Sequence, residues 1–76
     1  MKKKMELKLS VIISKERNWI VAKGIEIELA SQGKSKKEAL NNLKEAFRLW
    51  ARNAETDELD VFKDSKPILT SVAIMA

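Results

Sequence analysis

A change of hydrophobic period at Gly33 is the feature that most limits what this 76-residue chain can fold into. Before Gly33, apolar residues alternate with polar ones, which is typical of half-buried strands. After Gly33 they recur at steps of three and four, which is typical of an amphipathic helix. A strand-like apolar run follows Pro67. The pattern therefore predicts the order strand, strand, strand, helix, strand.

The first predicted strand covers 5–13, where every odd position is apolar and Ile12 is the apolar exception among the even positions. The polar stretch 14–18 predicts a hairpin, with Asn18 suited to the turn, and 19–23 is the second strand. Gly24 predicts a bend or bulge. Ile25, Ile27 and Leu29 then alternate with polar or small residues and predict a third strand that closes an antiparallel meander.

The predicted helix begins at Ser35, which stands three residues before Glu38 in a capping-box pattern. We expect it to end near 54–55. An apolar stripe on one face should cover the sheet. Its members are Leu40, Leu43, Phe47, Trp50 and Ala54. We assign Phe47 and Trp50 to the core rather than to base stacking.

These elements predict an α+β domain of two layers with the topology βββαβ and the strand order 3-2-1-4. A helix between the third and fourth strands predicts a right-handed crossover, which would make the last strand parallel to the first and the sheet mixed. One helix packs on one face, and the other face has no covering element. We expect a single domain over residues 1–76, with residues 1–4 as a frayed basic tail.

Composition excludes most chemistry, since the chain has neither cysteine nor histidine. Disulfides, thiolate metal sites and the usual general base are therefore absent. No glycine-rich phosphate-binding motif occurs. We predict no catalytic residue, no metal site and no cofactor, hence a protein that is not an enzyme. No apolar run approaches the roughly 20 residues of a membrane helix, and we expect the cytoplasm.

Most of the net charge of +4 comes from Lys2, Lys3 and Lys4, because twelve basic and eleven acidic residues remain without them. Such a balance argues against direct nucleic-acid binding. A weaker alternative is phosphate contact by the basic run 34–37, which otherwise is a solvated face.

The uncovered sheet face and the last strand predict association, because uncovered apolar side chains and unpaired strand edges favour it. We expect a homo-oligomer, a dimer or higher. The candidate interface residues are Ile12, Trp19, Leu69 and Met75, although Trp19 fits a core position as well.

Acidic residues form the second candidate surface, for a basic protein partner. They are Glu26, Glu28, Glu55, Asp57, Glu58 and Asp60. No calcium-loop spacing is present, so a cation site is not predicted. The alternative is an ordinary solvated loop.

Four segments together resemble the HicB-like family, the antitoxin halves of HicA–HicB toxin–antitoxin pairs. They are the Trp-Ile-Val-Ala-Lys run at 19–23, Ser-Gln-Gly-Lys-Ser at 31–35, Glu-Ala-Leu at 38–40 and Asn-Leu-Lys-Glu-Ala at 42–46. The resemblance implies a partial ribonuclease-H-like fold and the inhibition of a small basic HicA-type toxin that cleaves messenger RNA. The alternatives are a nucleic-acid-binding regulator, or a homo-oligomeric HicB-like protein without a toxin partner.

Overall fold

The computed structural model describes residues 6–62 and 70–75. Its strands form one sheet of order β3-β2-β1-β4, and the main helix packs on one face, which confirms the predicted α+β class and strand order. The elements are β1 (Glu6–Glu16), β2 (Trp19–Gly24), β3 (Ala30–Gly33), α1 (Lys36–Asn53), α2 (Thr56–Leu59), a 3-10 turn (Asp60–Phe62) and β4 (Ser71–Met75).

The β1–β2 hairpin is confirmed, but β1 is longer than predicted. Pairing continues to Glu16 and Trp19, so the connection is the two-residue turn Arg17–Asn18. Arg17 has a φ of 54°, in the left-handed region that two-residue hairpin turns require at their first central position. The polar residues 14–16 therefore extend the strand instead of forming a loop.

The position predicted for the third strand is wrong. Residues 25–29 form a bend, and β3 occupies 30–33 instead. The reason is that Glu26 turns towards β1, where its carboxylate accepts hydrogen bonds from the Ser10 backbone N–H and the Ser10 hydroxyl, both at 2.8 Å. The Glu26 carboxylate thus takes the place of the backbone carbonyl that a paired strand would present to the Ser10 N–H. β3 pairs with β2 only after the bend.

The predicted parallel orientation of the last strand is also wrong, because β4 runs antiparallel to β1 and the whole sheet is antiparallel. A simple crossover would enter β4 at the end of the sheet where α1 finishes. Instead α2 and the 3-10 turn fold back along α1, and Phe62 packs on Phe47 with ring centroids 5.4 Å apart. The chain consequently enters β4 opposite Ser10 and runs back towards the start of β1.

The core lies between the sheet and α1. Alternation along β1 directs Leu7, Leu9 and Val11 onto the helix layer, where they are buried. The helix buries Leu43 and Phe47 of the predicted stripe against them, together with Ala39. The other three members of the stripe, Leu40, Trp50 and Ala54, are half-buried. Residues Pro67, Ile68 and Leu69 of the predicted last strand lie outside the described residues.

The start of α1 follows the predicted cap with one change of partner. Ser35 Oγ accepts from the Glu38 N–H at 3.1 Å, as expected for the N-cap. Glu38 Oε1 accepts from the Lys34 N–H at 3.1 Å, one residue earlier than the capping box predicts. The helix ends at Asn53, next to the predicted end.

Candidate functional site

Three of the four predicted interface residues share the sheet face that points away from α1. Register places Ile12 opposite Lys23, Trp19 opposite Glu16, and Met75 opposite Glu6, all on that side. Ile12 and Met75 are 57% and 59% exposed, values that are high for large apolar side chains. We call this side of the sheet the open face. The fourth residue, Leu69, lies outside the described residues.

Trp19 belongs to the open face and not to the core. It is 37% exposed, and the Lys34 ammonium lies 4.1 Å from the centroid of its ring. This distance is within the range of a cation–π contact. Lys34, the first residue of the basic run that suggested phosphate binding, is therefore a neighbour of Trp19 across β2 and β3, whereas Lys36 and Lys37 are exposed on the first turn of α1.

The six predicted acidic residues fall into two groups. Glu26 is half-buried at its Ser10 contact, and Glu28 is exposed two residues further along the same bend. The other four follow α1 and are all exposed. Across residues 6–62 and 70–75 no three acidic side chains come close enough together to hold a metal ion.

The second group lies on one short helical segment. We call residues 55–60 the acidic segment. It consists of α2 and the residues flanking it, and the Glu58 carboxylate accepts from the Glu55 N–H at 3.0 Å. Buried Phe62 lies two residues after the segment, packed on Phe47 and edge-to-face on Trp50 with centroids 5.7 Å apart. Within the segment, Leu59 packs against the core, so the segment is anchored to the domain both by Leu59 and by Phe62.

A basic groove between α1 and β4 was not predicted from the sequence. A cavity of 370 Å³ is lined by Arg48, Ala51, Arg52, Ile74 and Met75. A second cavity of 230 Å³ shares Arg48, Ile74 and Met75 with it and adds Glu6, Lys44 and Ala73. The spacing of Lys44, Arg48 and Arg52, every four residues, was a readable signal for a cationic stripe on one side of a helix. Its position beside β4 was not readable, because it depends on how β4 enters the sheet.

The fold and these surfaces define a two-layer α+β domain with an exposed sheet face, an acidic segment and a basic groove. The chain belongs to a family of unknown function, DUF7387, whose model matches residues 4–65. Neither a curated protein nor a solved structure matches the chain. In the part of the chain described by the structure, no helix has the length and apolar character needed to cross a membrane.

Proposed function

We propose that this protein is a non-enzymatic protein-binding module, a HicB-like antitoxin that binds and occludes a small basic HicA-type toxin that cleaves messenger RNA. The observation that carries the proposal is the acidic segment, in which four exposed carboxylates lie within six residues. The residue pattern of the HicB-like family supplies the partner's class. The proposal implies the cytoplasm, where messenger RNA is translated.

The acidic segment suits a basic partner for two reasons. Its charges are concentrated on one short stretch, so their field adds up and speeds the encounter with an oppositely charged surface. Leu59 within the segment and Phe62 just after it anchor the segment to the core before binding, which reduces the entropy that binding would otherwise cost. An RNA-binding surface of a ribonuclease is basic, and covering it would block access of the substrate.

The same proposal includes self-association through the open face, with a second copy of the chain as the occupant. Ile12, Trp19 and Met75 supply exposed apolar area. Among residues 6–62 and 70–75 the charged members of this face balance, with three acidic and three basic side chains, so two copies would meet there without net repulsion. These members are Glu6, Glu16, Glu26, Lys8, Lys23 and Lys34. Sedimentation should show an oligomer that Ile12→Ser shifts towards monomer, and a wild-type monomer at high concentration would contradict it.

The partner is tested by purifying the chain from its own source cells at moderate salt and identifying by mass spectrometry what remains bound in fixed ratio. We expect a small basic protein that contains histidine and cleaves RNA. Recovery of the chain alone would overturn the antitoxin proposal in favour of a homo-oligomer without a toxin. Recovery of nucleic acid in place of a protein would overturn it in favour of a nucleic-acid-binding regulator.

The role of the acidic segment is tested by Asp57→Lys, because the Asp57 side chain is exposed and makes no hydrogen bond or ion pair with the described residues. We expect association with the captured protein to slow about tenfold at low salt, with dissociation little changed.

The matched control for that variant is Glu16→Lys. It changes charge by the same amount on an exposed residue beside the hairpin turn. The acidic segment follows the other end of α1, where Arg52 lines a cavity together with Met75. Because Glu16 belongs to the open face, the variants are compared at a concentration at which sedimentation gives both the same oligomeric state, and Glu16→Lys should then leave the association rate close to that of wild type. Equal rates for the two variants would mean that the acidic segment does not steer the partner.

A further inference from the structure

The outer edge of β4 directs hydrogen-bonding groups into the basic groove. The Val11 N–H donates to the Thr70 carbonyl at 2.8 Å, so alternation along the antiparallel pair directs the backbone groups of Val72 and Ile74 towards β1. The backbone N–H and C=O of Ala73 consequently point outward. β4 is an edge strand in the sheet order, and Ala73 also lines the groove.

The helix side of the groove is positively charged. Lys44, Arg48 and Arg52 follow each other at intervals of about 6 Å along α1, the rise of four helical residues. Arg48 forms an ion pair with Glu45, while Lys44 and Arg52 form none with the described residues. Glu6, the acidic residue of the groove wall, is engaged by Lys8 at 3.6 Å. Two cations of the groove are therefore available to a ligand.

We propose that the groove binds an acidic segment of a partner protein in extended conformation, which adds to β4 as a fifth strand. Its backbone pairs with the outward groups of Ala73, and its carboxylates pair with Arg52 and Lys44. Ala51 and Ile74, which line the larger cavity, supply apolar contact for the side chains between the carboxylates. This proposal does not rest on the antitoxin function, because it uses a different surface and a ligand of opposite charge.

Charge and strand pairing together favour an acidic strand over a second copy of the chain or a nucleic acid as the ligand of the basic groove. Pairing of β4 with β4 of a second copy would bring two sets of the same cations together, which is unfavourable. A single-stranded nucleic acid would satisfy the cations but would leave the outward N–H and C=O of Ala73 without strand pairing. An acidic peptide strand satisfies both the cations and the edge.

The experiment measures fluorescence anisotropy of a labelled peptide of alternating glutamate and valine, added to the full chain at low salt. We expect saturable binding that weakens as salt rises. A matched peptide of alternating lysine and valine should not bind. An oligothymidylate serves as the nucleic-acid probe, and binding of the oligothymidylate with no binding of the acidic peptide would overturn the proposal.

Two pairs of variants separate charge from strand addition. Arg52→Glu should weaken peptide binding at least tenfold, whereas Lys36→Glu, an equal charge change on the first turn of α1, should change it less than twofold. Ala73→Pro removes an outward N–H without removing a bond to β1, and should abolish binding. Ala30→Pro makes the same change at an outward position of β3 and should leave binding intact. Equal losses within either pair would overturn the proposal.

Discussion

The two edges of the sheet, β3 and β4, differ in what lies against the outward backbone groups of the edge strand. At β3 the outward carbonyl of Gln32 accepts a hydrogen bond from the Asn42 side chain at 2.8 Å, so α1 closes this edge. Gly33 lets the helix approach, since a Cβ there would lie 2.7 Å from the Ala39 nitrogen. At β4 the outward groups of Ala73 face the basic groove, and no described side chain caps them.

This difference follows from chain order. The helix begins directly after β3, so its first turns necessarily lie over that strand and can supply side chains to its edge. β4 comes after α1, α2 and the 3-10 turn, and the helix meets it with its last turns, which carry arginine. The β3 edge is thus completed within the chain, whereas the β4 edge presents its outward backbone groups beside the cations of the basic groove. Each of the following test variants alters either the β3 edge or the chain that leads into the β4 edge.

The largest expected effect comes from Phe62→Ala, which removes the aromatic contact that holds the returning chain beside β4. Replacing a buried phenylalanine by alanine costs about 3–5 kcal/mol of unfolding free energy. Hydrogen exchange should show the protection of β4 amides reduced more than that of β3 amides, because Phe62 anchors the chain that leads into β4, whereas β3 precedes α1. Equal loss of protection at both edges would contradict the separate anchoring of the two edges.

An intermediate effect is expected from Gly33→Ala, which forces the start of α1 away from β3. The new Cβ would lie 2.7 Å from a backbone nitrogen, which cannot yield without moving the helix, and we expect a loss of about 1–3 kcal/mol in urea unfolding.

Gly24→Ala is the control for this substitution. Its new Cβ would meet the ends of the Leu9 side chain at 2.9 and 3.0 Å and the Ile27 carbonyl at 3.2 Å, so the nearest backbone atom is 0.5 Å further away than at Gly33. The loss should therefore be smaller than for Gly33→Ala. A larger loss for Gly24→Ala would show that the closed edge does not depend on close helix approach.

The direction of β4 and the position of β3 depend on contacts between residues far apart in the sequence, which local patterns do not encode. Periodicity was sufficient for the class, the strand order and the buried face of α1, because those depend on local patterns. The direction of β4 depends on Phe62 folding back onto Phe47, a contact between residues fifteen positions apart that no repeat encodes. The place of β3 depends on Glu26 binding Ser10 across sixteen positions.

Some of the candidate sites likewise follow from local sequence patterns, whereas one depends on the tertiary structure. Strand alternation predicted that Ile12 lies on the face opposite Leu7 and Leu9, and its pairing with Lys23 places it there. Met75 was a candidate for the same face, and its pairing with Glu6 places it there as well. The exposure of the acidic segment also followed from its composition. The basic groove needed the tertiary structure, because its two walls, Arg48 and Ile74, belong to elements whose relative direction was predicted wrongly.

The smallest expected effect comes from Asn42→Ala, which opens the closed edge without disturbing the core. The bond to the Gln32 carbonyl is exposed, so its loss should cost about 0.5–1 kcal/mol. Asn41→Ala is the matched control, since it makes the same change of helix propensity at an exposed neighbour that has no such bond with the described residues. Equal stabilities of the two variants would mean that the side chain does not close the edge.

The central claim is that the chain acts by binding another protein and blocking its access to RNA. The most direct test titrates the captured basic protein with the purified chain while RNA cleavage is followed. The account predicts cleavage that falls linearly and reaches zero at a fixed ratio of chain to partner. It also predicts that Asp57→Lys needs longer preincubation to reach the same end point. Undiminished cleavage at excess chain, with the two proteins bound to each other, would contradict the account.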